Sequence, residues 1–190
     1  MAAIVCDFGV DLAEDIARTF LPPPEERWFH TAGVAARAQQ LAYAVDPADR
    51  ALLVAAAWLH DVGYAEDVRD TGFHPLDGAR FLDRLGLPKR LTSLVAHHSG
   101  ARFVAEARGL GVAMADFPVE VSTLSDALTY ADQTVGPHGR PYTVDQRMAE
   151  MLGRHGPDSP QARAHRARAP YLLGVASRME RATLVTASNY

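Results

Sequence analysis

Residues 51–64, ALLVAAAWLHDVGY, decide the fold. The run from Ala51 to Leu59 is apolar nearly all round, as expected of a helix buried on every side. It ends on His60 and Asp61, an imidazole and a carboxylate at the mouth of a core helix. Placing both there costs desolvation energy unless they pair or bind a metal. Adjacent residues on a regular helix point ~100° apart. At a helix end, just before the breaker Gly63, both can turn toward one cation.

Outward from this stretch, breakers cut the chain into helix-length blocks. They are Pro22 to Pro24, Asp46-Pro47, Gly63 to Gly72, Gly86 to Pro88, Gly136 to Pro141 and Gly156 to Pro160. Between them apolar residues recur at helical spacing. Val34, Ala38, Leu41 and Val45 form one face of a block from Glu25 to Val45, and His30 lies on that face. Leu76, Ala79, Leu82 and Leu85 mark a helix at 75–86, and a short one follows at 88–99. Val121, Leu124, Leu128 and Ala131 mark another, running to Asp132. Amphipathic blocks occupy 143–155 and 160–187, and no alternating strand pattern appears. The expectation is an all-α, single-domain orthogonal helical bundle over residues 1–190, with a core at about 25–135 and a C-terminal helical extension at about 143–187. The segments 62–73 and 99–119 are expected as loops.

A length of 190 residues fits one domain, and 48% hydrophobic with 22% charged residues is an average globular composition. This excludes a disordered tail protein, a collagen-like repeat and a disulfide scaffold. The net charge of −4 comes without a basic stripe, which argues against a nucleic-acid partner. The single cysteine, Cys6, allows no internal disulfide and suits a reducing compartment. The opening MAAIVCDFGVDLAEDIA has no basic n-region, so no secretory leader is expected. The apolar run 51–59 is far shorter than the ~20 residues that span a bilayer. A cytoplasmic protein with no membrane partner is expected, and a homo-oligomer is left open.

His30, His60-Asp61, His74, His97-His98 and Asp132 lie on separate expected helices, near element ends or on apolar faces. Mixed imidazole and carboxylate donors suit Mn, Fe, Co, Ni or Zn better than Ca. The order His30, His60-Asp61, Asp132 resembles the HD-domain superfamily, best known for metal-dependent phosphohydrolases. The resemblance covers about residues 25–135. It implies that His30, His60, Asp61 and Asp132 hold a first divalent metal. His74, in HPLDGARFL, and His98, in LVAHHSG, match the extra histidines of members that hold two metals, with Asp61 as the bridge. The implied cofactor is one or two ions of Mn, Fe, Co, Ni, Zn or Mg, and the implied catalytic residues are Asp61 and His60. The implied function is hydrolysis of a phosphate ester of a nucleotide or small metabolite through a metal-activated hydroxide.

Two departures narrow the resemblance. Tyr64 stands where many phosphohydrolases carry Lys, Arg or Glu. His98 is followed by Ser99-Gly100-Ala101-Arg102, not by the HHE and GYP strings of members that cleave cyclic dinucleotides. Tyr64 is a candidate to hydrogen-bond substrate or bound water. Arg102, one expected helical turn past His98, is the first candidate for a rim cation that binds substrate, with Lys89 and Arg140 behind it. Two other readings stay open. One is a di-iron oxygenase branch acting on an organophosphonate or polyol-like substrate; the other is a non-catalytic ligand-binding HD domain. His138, His155 and His165 read as surface residues, as does Asp126. Trp28 and Trp58 read as core or pocket-wall aromatics.

Overall fold

The computed structural model describes residues 9–187; Cys6 and the first part of the opening segment lie outside them. In chain order the helices are α1 (Val10–Phe20), α2 (Glu26–Leu41), α3 (Arg50–Leu59), α4 (His74–Arg84), α5 (Lys89–His97), α6 (Ala101–Ala107), α7 (Gly111–Met114), α8 (Thr123–Gln133), α9 (Val144–His155) and α10 (Pro160–Ala187). The fold is all-α: among the described residues there is no β-strand, and only an isolated bridge joins Val135 to Pro141. Among the same residues no helix is long and apolar enough to cross a membrane.

The stretch ALLVAAAWL forms the centre. Ala55, Ala56 and Ala57 are at most 1% exposed, so α3 is wrapped on all sides. Small side chains let α1, α2, α5 and α8 close on it together. Trp28 of α2 stacks on Trp58 of α3 with ring centroids 5.5 Å apart, as befits core-wall aromatics. The buried face of α2 carries His30, Thr31, Val34, Ala35, Ala38 and Leu41. Ser122 with Ser125 and Thr143 with Gln146 form capping boxes that start α8 and α9. Helix α10 packs against α6, α8 and α9.

The chain differs from the sequence expectation in two places. Segment 99–119 is not a loop but carries α6 and α7. The string ARFVAEA consists mostly of good helix formers, and it buries Ala101, Val104 and Ala105. Near the start, Ala13 and Ala17 are buried and Ile16 and Phe20 partly so, which adds α1 to the face of α3.

Gly63 does more than break a helix. A Cβ there would meet the His74 carbonyl oxygen at 2.1 Å and the Gly78 nitrogen at 2.6 Å. The turn after Asp61 thus packs backbone to backbone against the first turn of α4. That contact sets Asp61 beside His74. Gly63→Ala is expected to cost about 1–3 kcal/mol of stability, the usual scale of overpacking. Urea denaturation measures it, and an unchanged midpoint would refute the close contact.

Candidate metal centre

His60 is the C-cap of α3 and His98 the C-cap of α5. The last carbonyls of a helix have no amide partner within it. His60 Nδ1 meets the Ala57 carbonyl at 2.7 Å, and His98 Nδ1 meets the Val95 carbonyl at 2.6 Å. His30 Nδ1 meets the Gly136 carbonyl at 3.2 Å. That carbonyl is delivered by the turn at 136–140, where Gly139, at φ +72°, packs so closely on Phe29 that a Cβ would lie 2.7 Å from its carbonyl oxygen. A carbonyl only accepts, so each Nδ1 carries the proton and donates it. Each Nε2 is left with a bare lone pair.

Those lone pairs converge on two aspartates. His30 Nε2 lies 3.0 Å from Asp132 Oδ1 and 3.7 Å from Asp61 Oδ2. His60 Nε2 lies 3.4 Å from Asp61 Oδ2 and 4.0 Å from Asp132 Oδ1. On the other side, His74 Nε2 lies 3.2 Å from Asp61 Oδ1 and 3.3 Å from His98 Nε2. The two oxygens of Asp61 therefore address two different groups of imidazoles. Two trios, His30 with His60 and Asp132, and His60 with Asp61 and His98, each place their donor atoms within 4.8 Å of one another. Unprotonated nitrogens and carboxylate oxygens this close repel unless a proton or a cation lies among them. His60 Nε2 is buried and has no hydrogen-bond partner. These residues fit divalent cations, which would take up the lone pairs of each group.

All but one of the charge states agree with that fit. Burial pushes the Asp61 carboxyl up, but His60 and Arg27 beside it hold it well below the usual carboxylate range. For Asp132 burial is likewise outweighed, by His30 and by Arg147. Burial pulls His30 and His74 down, and His98 down to about 3. His60 is the exception: burial pulls it down, but Asp61, Asp132 and the Ala57 carbonyl together raise it, so its Nε2 favours a proton that a cation would have to displace. Ionised carboxylates and neutral imidazoles are what a metal requires. Arg27 Nη1 donates to Asp61 Oδ2 at 2.6 Å, and its guanidinium lies 3.9 Å from the centre of the Tyr64 ring. Tyr64 in turn stacks on His74 at 4.0 Å. Arg147 Nη2 lies 3.6 Å from Asp132 Oδ1 and 3.5 Å from His30 Nε2. Ser99 Oγ donates to Asp132 Oδ2.

Asp61, His74, His98 and Asp132 line a cavity of about 350 Å³, and Tyr64 forms part of its wall. Arg102 does not line this cavity. Its guanidinium sits 4.9 Å from the Phe103 ring and 5.1 Å from the Tyr171 ring. The cause is local: Ser99 and Gly100 take left-handed φ values of 52° and 65°, which breaks the helical phase between His98 and Arg102. Lys89 pairs with Asp83 at 3.1 Å, and Arg140 is exposed; neither lines the cavity. His97 turns away, its Nε2 meeting the Phe117 carbonyl at 2.7 Å. Asp126 pairs with Arg178 at the surface. His155, expected at the surface, lines the cavity because α9 ends against it.

The cationic wall comes from arginines outside the sequence expectation. Arg27, Arg108, Arg147, Arg154 and Arg168 all line the cavity. Two of them carry a legible signal. Arg147 stands on the buried face of α9 with Val144, Met148 and Met151. Arg168 stands on the buried stripe of α10, four residues from Ala164 and from Leu172. A charge on an apolar stripe needs a reason.

A family model described as HD domain matches residues 27–131, more than half of the chain. No curated protein and no solved structure gives a match.

Asp77 holds the approach to His74. Its Oδ1 accepts from Thr71 N at 2.9 Å and Thr71 Oγ1 at 2.6 Å, and its Oδ2 accepts from Gly72 N at 3.0 Å. Asp77→Ala leaves these donors unpaired and is expected to cost about 1–3 kcal/mol. Hydrogen exchange at Thr71 and Gly72 should quicken; unchanged exchange there would show that something else holds the loop.

Proposed function

The chain belongs to the HD domain family, and from that premise we propose that it is a metal-dependent phosphohydrolase acting on a phosphate ester of a nucleotide or small metabolite. The family consists mostly of metal-dependent hydrolases. The observation that carries the reading is the division of Asp61, with Oδ2 toward His30 and His60 and Oδ1 toward His74 and His98. In this reading His30, His60, Asp61 and Asp132 would hold one ion, and Asp61, His74 and His98 would hold another. Mn, Fe, Co, Ni, Zn and Mg all suit such donors to differing degrees.

The charge around the cavity supports an anionic substrate. The whole chain carries −4. Yet the Asp, Glu, Lys and Arg side chains lining the cavity are five arginines against two aspartates. A divalent ion held there would supply Lewis acidity and bring the pKa of a bound water down toward ~7. The chain's own residues do the rest. Arg27 and Arg147 keep the two aspartates ionised and offer N–H groups where charge grows on phosphoryl oxygens. Tyr64, held between Arg27 and His74, walls the cavity with its ring. A volume of about 350 Å³ admits a small metabolite and not a polymer. The buried floor excludes bulk water, which strengthens each of these interactions. A cytoplasmic setting belongs to this reading, on the strength of the single cysteine.

Elemental analysis of the purified chain, followed by an anaerobic phosphate-release screen with the found metal restored, tests the reading. His60→Ala and Asp61→Asn are expected to lose metal and phosphate release by at least about 10-fold, the lower end of what disturbing even an outer-sphere partner costs. Helicity by circular dichroism should stay near that of the parent. Full metal content in both variants would remove the proposed centre. Iron-dependent oxygen uptake with no phosphate release would replace hydrolysis by oxygenation.

A further inference from the structure

The arginines of the cavity fall into two tiers. Arg27 and Arg147 stand directly on the aspartates. Arg108, Arg154 and Arg168 do not. Arg168 is only 8% exposed. Its Nε donates to the Ser99 carbonyl at 2.8 Å, and among the described residues no carboxylate pairs with it. Burial, the largest influence on it, pulls its guanidinium below the ordinary value. A guanidinium carries five N–H donors, so most of the Arg168 fork remains for whatever enters the cavity it lines. Arg108 donates Nη2 to the Thr71 carbonyl at 3.2 Å and pairs with no carboxylate among the described residues. Arg154 is paired with Glu150 at 3.2 Å, but Glu150 also serves Arg147 at 2.5 Å. Of these three cations only Arg154 meets a carboxylate, and that carboxylate is already divided with Arg147. Ser159, Pro160 and Gln161, at the N-terminal end of the 28-residue helix α10, line the same wall. The amide end of a long helix adds partial positive charge there.

We propose that Arg168, with Arg108 and Arg154, forms an anion subsite that receives a second phosphoryl group, so that the substrate is a diphosphate or bisphosphate and not a simple monoester. The inference rests on the phosphohydrolase reading of the cavity and deepens it. A phosphoryl group carries close to two negative charges near neutral pH, which matches this surplus of cations better than a single carboxylate does. Two of the three residues, Arg154 and Arg168, lie beyond the residues that the family model matches. The selectivity therefore belongs to this chain's own C-terminal helices.

Calorimetric titration of the full chain tests the subsite, with inorganic phosphate, pyrophosphate and propane-1,3-diol bisphosphate as probes. Metal content is measured before and after. At least one bis-anionic probe is expected to bind at least about 10-fold tighter than phosphate, a ratio that one extra charge-assisted contact supplies. Arg168→Gln and Arg108→Gln should each erode that preference while leaving metal content unchanged. Equal affinity for all three probes in the parent chain would overturn the subsite. So would an Arg168→Gln chain that keeps the full preference; one that loses metal along with the preference leaves the decision to the second variant. In the last case Arg108→Gln, which does not touch Ser99, separates recognition from support: a retained preference there sinks the proposal and a lost one sustains it. The two readings fail separately. Phosphate release without bis-anion preference removes the subsite alone. Arginine-dependent preference without any phosphate release removes the hydrolase alone.

Discussion

A carboxylate stripped of water is among the most costly groups a protein core can hold unless cations surround it. Asp61 is 3% exposed and sits where α3 runs out at the centre of the molecule. Much of the surrounding architecture answers that one constraint. Arg27 reaches it from α2, His60 from its own turn, and His74 from the start of α4. Asp132, 5% exposed at the end of α8, repeats the problem, and Arg147, His30 and Ser99 repeat the answer. Neither carboxylate would stay ionised in an apolar bundle without these neighbours.

The arrangement also uses what helices leave undone. Carbonyls in the last turn of a helix lack amide partners. At α3 and α5 the chain turns away one residue after the helix, and a histidine at that point folds its Nδ1–H back onto the carbonyl three residues earlier. One hydrogen bond thereby satisfies an orphaned carbonyl, fixes the tautomer and aims Nε2 inward. His30 lies mid-helix and has no such carbonyl of its own. It borrows that of Gly136, which the turn at 136–140 can deliver only because Gly139 lets two backbones touch. The histidines that converge here sit at breaks in the chain, or face one, for this reason.

This explains what could be read in advance. The apolar run 51–59 marked the central helix because its periodicity is absent, and His60-Asp61 stood out because charge at its end demanded a partner. The buried faces of α2 and α8 followed from helical spacing, and with them the inward placement of His30 and Asp132. Arg102 was misplaced because spacing arguments assume an unbroken helix. Two consecutive left-handed residues, Ser99 and Gly100, break that assumption, and a non-glycine in that region gives no sequence warning. The arginine wall was only half legible, for another reason. Arg147 and Arg168 look like ordinary members of amphipathic helices until the stripe they stand on is seen to be buried. Arg108 and Arg154 carry no such mark, since only the fold brings α6 and α9 to one cavity.

The C-terminal helices are therefore more than an appendage to the segment that the family model matches. Remove α9, and Asp132 loses the guanidinium that holds it ionised; remove α10, and the Ser99 carbonyl loses Arg168, behind the residue whose hydroxyl steadies Asp132. The same two helices place positive charge in the wall of a cavity floored by carboxylates and imidazoles. Such a floor alone favours cations, and such a wall alone favours anions. Together they give one cavity a part that suits a cation and a part that suits an anion. The pairing of opposite fields within about 350 Å³ works because Arg147 stands at the seam, with Glu150 on one side and Asp132 on the other. Charge on each side is then buried against its opposite, and neither side is left to desolvate alone.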